Sequence, residues 1–521
     1  ASASAGAGGG LTVLTSSSDV GWDPAKSQSM PMTSLGLVHR RLTTWRLAPG
    51  KPVELAPDLA TDTGRVSDDG LTWTFALKEG LKLSDGSAIT STHIKHGVER
   101  SFAPALSGGL GYHKTLLAGA EGYQGPYSGA HLDSIETPDE STIVFHLVRA
   151  FGDWPWIVAQ PAFSPVPEGD DPATYSHAPI ASGPYQVGEY KQGSSITLTR
   201  NPNWSKDTDD VRLALPDTFV FSLGQDETTA SQRLIADSGD DRRAFGADRV
   251  SAAQLAQVSA NESAKSRLAT SPEGGPLAFL AINVQRVSDV NVRKAIAHAV
   301  DRSTIVSSIL KGQATVATGI EPPDQLGSEI GEQAAADAQA GLPIDSFDLD
   351  AARAELAQSK VPGGFDAELT YPSSIPDLGS AALAIADNLK QIGINLTVTS
   401  KPIEEWISEV GSGTYGLSYM SYTSTTGDPG EVAGWLLGPD NPARYENAQV
   451  QGLIASQATQ TDPSKRVTDI VEAERIAQEN TIYSPLWWGK TSTAFSSRVT
   501  PTEYTPYFFM TPWASSLELA K

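Results

Sequence analysis

The chain contains no cysteine. That excludes a disulfide framework, a thiolate nucleophile and every Cys-based zinc site. It also lacks any run approaching the roughly 18 apolar residues of a membrane-spanning helix. Cations are scarce, with 38 Lys and Arg against 61 Asp and Glu and a net charge of −23. Such a chain repels phosphate backbones, and no basic stripe with interleaved aromatics offsets this, so nucleic acid is not an expected partner. No Gly-x-Ser-x-Gly elbow, His-Glu-x-x-His pair or Asp-x-Asp-x-Asp-Gly loop occurs, so no catalytic residue, cofactor or metal ligand is assigned. His93 and His96 share a spacing that can present two imidazoles to one metal, but no Glu completes a zincin pattern, and surface or supporting roles are expected for both.

What is present reads as a large soluble protein. At 521 residues, with 39% apolar and 19% charged content, two or three packed units are expected. Residues 1–10, ASASAGAGGG, read as a flexible linker. No charged start with an apolar segment precedes them, and a signal peptide is expected to have been removed.

Strands and helices alternate along the rest. Leu11 to Thr15 reads as a first strand, followed by a polar loop ending in Trp22-Asp23-Pro24. Leu71, Trp73, Phe75 and Leu77 have the period of a half-buried strand, as do Ile143, Phe145 and Leu147. Ser91 to Arg100 reads as a short polar helix. Tyr185 begins one strand, and Ile196 and Leu198 share a face of another. Val290 to Leu310 carries a helical stripe through Val292, Ala295, Ile296, Ala299 and Val300. Ser380 to Ile392 reads as a helix stopped by Gly393, Ile394 to Val398 as a strand and Pro402 to Val410 as a helix. Gly411, Gly413 and Gly416 satisfy a dinucleotide-type glycine pattern, but they follow a helix and lead into a strand, the reverse of what phosphate binding needs. Gly489-Lys490-Thr491 is half of a phosphate loop whose wrapping residues would be Trp487 and Trp488, and it is set aside.

Residues Glu54 to Phe102, with the strand of Trp73 and Phe75 between Asp68-Asp69-Gly70 and Asp85-Gly86-Ser87 and then the helix from Ser91, closely resemble the signature region of the family 5 extracytoplasmic solute-binding proteins. Gly183-Pro184-Tyr185 with Arg200-Asn201-Pro202, and the run from Asn291 to Arg302, resemble further family motifs in the same order. The resemblance implies an α/β, two-lobed periplasmic-binding-protein-like fold of class II, cluster C type. Lobe I would comprise 11–45, 167–271 and 486–521, with an extra domain over 46–166, and lobe II would span 272–485. Hinge crossings would fall near Ser271 and Pro485.

The resemblance also implies a function: an ABC-importer receptor that captures oligopeptides or peptide-like, cationic amino-acid ligands by hinge closure and delivers them to a membrane permease. A lipid anchor upstream of Ala1 and a monomeric state go with it. Ligand-facing residues would be Ser18, Asp19 and Val20 in the first loop, Trp406, the segment Tyr422, Thr423, Ser424, Thr425 and Asp428, and the aromatics Trp487 and Trp488. In many relatives a carboxylate that pairs with the peptide ammonium stands at the position of Thr425. A hydroxyl cannot neutralise a buried ammonium, which would cost several kcal/mol unpaired. Asp19, Asp428 or another carboxylate could take over, or the ligand is not held by a free amino terminus; a receptor for a metal chelate or oligosaccharide is the rival within the fold, and a secreted hydrolase and a structural adhesin are the readings from other classes.

Overall fold

The computed structural model describes residues 8–26, 35–46, 53–107, 109–248, 250–270, 276–373, 377–424, 426–490, 492–500 and 518–519. The chain forms two compact units: Ala1–Ser271 with Thr491–Lys521, and Pro272–Lys490.

The first unit carries two cores. One lies on a five-stranded mixed sheet ordered Ala244–Gly246, Gly10–Leu14, Thr218–Ser222, Ser195–Arg200, Tyr185–Lys191. The first three strands run parallel and the last two antiparallel. Alternation buries Leu11, Val13, Phe219, Phe221, Ile196 and Leu198 against Trp22 and Tyr185. The other core lies on an antiparallel sheet ordered Arg65–Val66, Thr72–Ala76, Thr142–His146, Ile135–Asp139. Its Trp73, Phe75, Ile143 and Phe145 pack on Ile94 and Val98 of helix Ser91–Arg100. Leu268–Thr270, just before the first crossing, pairs antiparallel with Ser492–Ala494, just after the second.

Two expectations for this unit change, and the two histidines of helix Ser91–Arg100 find partners in the framework. The linker does not extend to residue 10, because Gly8 N–H donates to the Leu215 carbonyl, Gly9 N–H donates to Asp217, and Gly10 opens the first strand; residues 1–7 lie outside the described residues. Helix Ser91–Arg100 is polar in sequence yet buries His96, Glu99 and Arg100, since each finds a hydrogen-bond partner: Asp170 for His96, Leu132 N–H for Glu99 and Asp23 for Arg100. His93 and His96 act in the framework: His93 Nδ1 accepts from Thr90 N–H at 3.1 Å, and His96 Nε2 lies 2.6 Å from Asp170 Oδ1.

The second unit is built on a six-stranded sheet ordered Ala314–Val316, Tyr483–Gly489, Leu277–Ile282, Leu417–Tyr422, Phe365–Pro372, Ile394–Lys401. Leu277–Ile282 is buried throughout, because helices cover both faces of the sheet. Phe365–Pro372 and Ile394–Lys401 run parallel through helix Asp377–Lys390. That helix ends before Gly393, whose φ of 87° only glycine adopts without strain. The stripe from Val290 is two helices, Val290–Ala299 and Arg302–Ser308: Val300 is extended, and Asp301 caps the second by accepting from Thr304 N–H. The second crossing falls after Lys490 rather than at Pro485, since Leu486 to Gly489 remain in the strand paired with Leu277–Ile282 and Ala314–Val316.

Candidate functional site

In the first unit, Ser18 and Asp19 are exposed and Val20 is buried in the core. Asp19 Oδ1 lies 3.0 Å from His177 Nε2 and accepts from the Tyr190 hydroxyl at 3.3 Å. The two rings stack at 4.0 Å. The loop is pinned beyond Val20: Trp22 is fully buried, and Asp23 accepts two hydrogen bonds from Arg100, both 2.9 Å. Of these three residues, only Ser18 and Asp19 keep their side chains exposed.

In the second unit, the loop after strand Leu417–Tyr422 is organised by a residue that the sequence reading did not single out. Glu431, in the first turn of helix Gly430–Leu437, accepts from the Tyr422 hydroxyl at 2.6 Å, the Ser424 hydroxyl at 2.7 Å, and the Thr426 N–H and hydroxyl at 3.0 and 2.7 Å. Ser424 Oγ in turn accepts from Gly427 N–H at 3.1 Å. Thr423 is half-buried, and Thr425 lies outside the described residues. Asp428 is buried, its Oδ1 accepting from Gly430 N–H at 2.8 Å and from Arg466 at 2.9 Å. The arginine thus neutralises the carboxylate that was expected to meet a cation. A signal for Glu431 was present: Asp428-Pro429-Gly430-Glu431 has the spacing of a helix-starting capping box.

Two further carboxyls of this unit have no cation in hydrogen-bond reach among the described residues. Glu321 Oε1 accepts from Ala433 N–H at 2.8 Å and Glu474 Oε1 from Ile320 N–H at 2.6 Å, while the second oxygen of each is buried without a partner. Burial pushes the Glu474 carboxyl up to about 8 and raises Glu321 well above the ordinary range.

The aromatic residues divide. Trp406 is half-buried, and its Nε1 donates to Ser418 Oγ at 3.1 Å. Trp487 and Trp488 are 4% and 2% exposed and belong to the cores on opposite faces of the sheet. A bulge at Leu486 sets their facing: Trp487 pairs with Ala278, but Pro485 already pairs with Phe279. Trp488 also borders a cavity of about 760 Å³ with Thr315, Leu342, Ile344 and Phe347, and no residue of 422–431 lines it. Among the described residues no group of three or more His, Asp or Glu could hold a metal ion, and no helix is long and apolar enough to cross a membrane.

Residues 54–443 match the bacterial extracellular solute-binding proteins, family 5, and the chain belongs to that family. It is an extracytoplasmic-type solute-binding protein of mixed α/β fold, and its relatives carry binding rather than enzymatic names. It is 23% identical to the probable D,D-dipeptide-binding periplasmic protein DdpA of Escherichia coli K12 over 85% of this chain and 81% of that protein. It is 26% identical to the probable di/tripeptide-binding protein 5 of Pseudomonas aeruginosa UCBPP-PA14, over 91% and 89%. Among solved structures it is similar to clavulanic acid biosynthesis oligopeptide binding protein 2, with a TM-score of 0.83 and 29% identity over 99% and 96% of the two chains.

Proposed function

We propose that this protein captures oligopeptides, or peptide-like or cationic amino-acid ligands, outside the cytoplasm, by hinge closure at its two chain crossings, and delivers them unaltered to an ABC permease. The observation that carries the reading is the family match over 54–443 together with relatives named for peptide binding at 81% and 89% of their own length. The loop from Tyr422 to Asp428 supplies the ligand surface on one unit and Ser18, Asp19 and the Val20 backbone the surface on the other. Extended peptides gain affinity from main-chain hydrogen bonds that do not read side chains, which suits a receptor for many sequences. The protein acts as a monomer tethered by a lipid upstream of Ala1, and no covalent step is part of its work.

A second reading has one specific observation in its favour. Thr425 is neutral, and Asp428 is neutralised by Arg466, so a receptor for a non-peptide guest of the same fold is the rival. Native mass spectrometry of the purified protein separates the two. A retained family of peptide masses supports the first reading, and one recurring non-peptide mass supports the second. Turnover of the guest would overturn both.

A further inference from the structure

We infer that the Arg41 guanidinium holds a small monovalent anion, buried in the first unit where its two cores meet. Leu42 and Leu59 belong to the core on the antiparallel sheet, and Val38 and Trp45 to the core on the mixed sheet. At this junction Arg40, Arg41, Arg212, Asp58 and Asp209 form a buried cluster. Three cations meet two carboxylates there, an excess of one positive charge. Lys78 adds another at the edge, and the nearby Asp210 is taken up at the surface by Arg46.

The unanswered charge falls on Arg41. Its Nε, Nη1 and Nη2 are all buried, and none has a hydrogen-bond partner among the described residues. The two carboxylates have nothing left for it, since a carboxylate accepts about four hydrogen bonds. Asp58 already takes Arg40 Nε at 2.8 Å, Arg212 Nη1 and Nη2 both at 2.9 Å, and the Arg41 N–H at 2.9 Å. Asp209 takes the Val211 and Arg212 N–H groups at 3.1 and 3.0 Å, and Arg212 Nη1 and Trp204 Nε1 both at 3.1 Å. The Trp45 ring lies 5.7 Å from Arg41 Cζ. Its quadrupole offsets part of the charge but offers no lone pair to a donor.

The chemistry of the cluster selects the guest. A buried charge without a partner is among the most destabilising arrangements a fold can carry. Burial, with Arg212 beside it, pushes Arg41 down to about 9, so the group is still a cation at neutral pH. A guanidinium presents a planar fork of donors, and one small anion satisfies several of them at once. Full burial limits that anion to the size of chloride or formate. It belongs to the framework and is separate from the transported guest.

The test follows melting of the full chain by circular dichroism at pH 7 and constant ionic strength, with chloride or formate replacing the bulkier gluconate. Wild-type protein should melt about 3 °C or more higher in the small anion, and the rise should saturate with its concentration. The larger of the two shifts tells a halide from a carboxylate. Arg41→Met, which removes the charge and keeps an apolar stem, should abolish the shift and melt above wild type in gluconate. Arg46→Met, at the exposed pair with Asp210, should keep the wild-type shift. Crystals grown with the more effective anion, bromide standing in for chloride, should show it within about 3.5 Å of the Arg41 guanidinium. Equal shifts in wild type and Arg41→Met would reveal a general salt effect and overturn the site. A wild type indifferent to both anions, or crystals with no ion beside Arg41, would overturn it as well.

Discussion

Arg100 grips Asp23 with two parallel hydrogen bonds, Nη1 to Oδ1 and Nη2 to Oδ2, both at 2.9 Å, and both side chains are fully buried. The same guanidinium donates through Nε to Asp170 Oδ2 at 2.8 Å. One cation therefore ties the end of helix Ser91–Arg100 to the loop that carries Ser18, Asp19 and Val20. The Arg100 guanidinium also helps hold the Asp170 carboxyl well below the usual carboxylate range, despite burial acting the other way.

Removing that cation should be the most damaging single change in the first unit. Arg100→Met leaves the buried Asp23 carboxylate without its cation and removes one partner of Asp170, and it is expected to lower stability by about 3–5 kcal/mol. Asp23→Asn, which keeps an acceptor for the guanidinium, should lose less. Chemical denaturation of both variants checks the ordering, and a smaller loss for Arg100→Met would refute it.

Trp406 and Trp487 should separate binding from stability. Trp487→Ala hollows a core and is expected to lower stability by about 3–5 kcal/mol. Trp406→Ala removes a half-buried ring and one hydrogen bond to Ser418, so it should stay closer to wild-type stability while weakening peptide binding by about tenfold. Paired melts and titrations decide. Equal unfolding by the two would place Trp406 among the core residues.

Stability should fall on the alkaline side because of the buried carboxyls of the second unit. Glu474 has its folded value raised from 4.5 to about 8, so the contribution of its neutral form is full below 4.5 and is lost as pH rises through about 8. Glu474→Gln keeps an acceptor for Ile320 N–H and removes this dependence, so the variant should match wild type near pH 5 and exceed it near pH 9. The acid limb has its own source. Burial lowers His39 from 6.5 to about 4, so its contribution is full above 6.5 and is lost as pH falls through about 4. Melting curves across this range test both limbs, and a flat alkaline limb in wild type would contradict the first.

Thr425→Asp should bring a charge to the ligand loop. Peptides with free amino termini should gain about tenfold over acetylated ones relative to wild type. Titration of the matched pair measures it, and no change in the ratio would mean that position 425 does not face the peptide terminus.

Much of the fold was legible in the sequence because local pattern and tertiary role coincide there. The alternation through Trp73 and Phe75 became a strand with that face buried. Helix Ser91–Arg100 and the strand from Ile394 also fell close to where periodicity put them. The helix break at Val300 was hidden, since an apolar residue continued the stripe while Asp301 supplied a cap whose value depends on backbone geometry. The burial of His96 and Arg100 on helix Ser91–Arg100 was not legible, because their partners, Asp23 and Asp170, are distant along the chain.

The candidate site divides the same way. Composition and element order determined that this is an acidic, cysteine-free chain of alternating strands and helices, because such signals lie in residue type and spacing, and the resemblance of its motifs to a known family implied a solute receptor with a polar first loop and a Tyr422–Asp428 segment. Only the tertiary structure decided which charges remain available to a ligand. It paired Asp428 with Arg466, gathered the hydroxyls of Tyr422, Ser424 and Thr426 onto Glu431, and covered both faces of the sheet so that Trp487 and Trp488 fall into the cores. Long-range pairing and burial set the state of a polar group, and neither is a property of its neighbours in sequence.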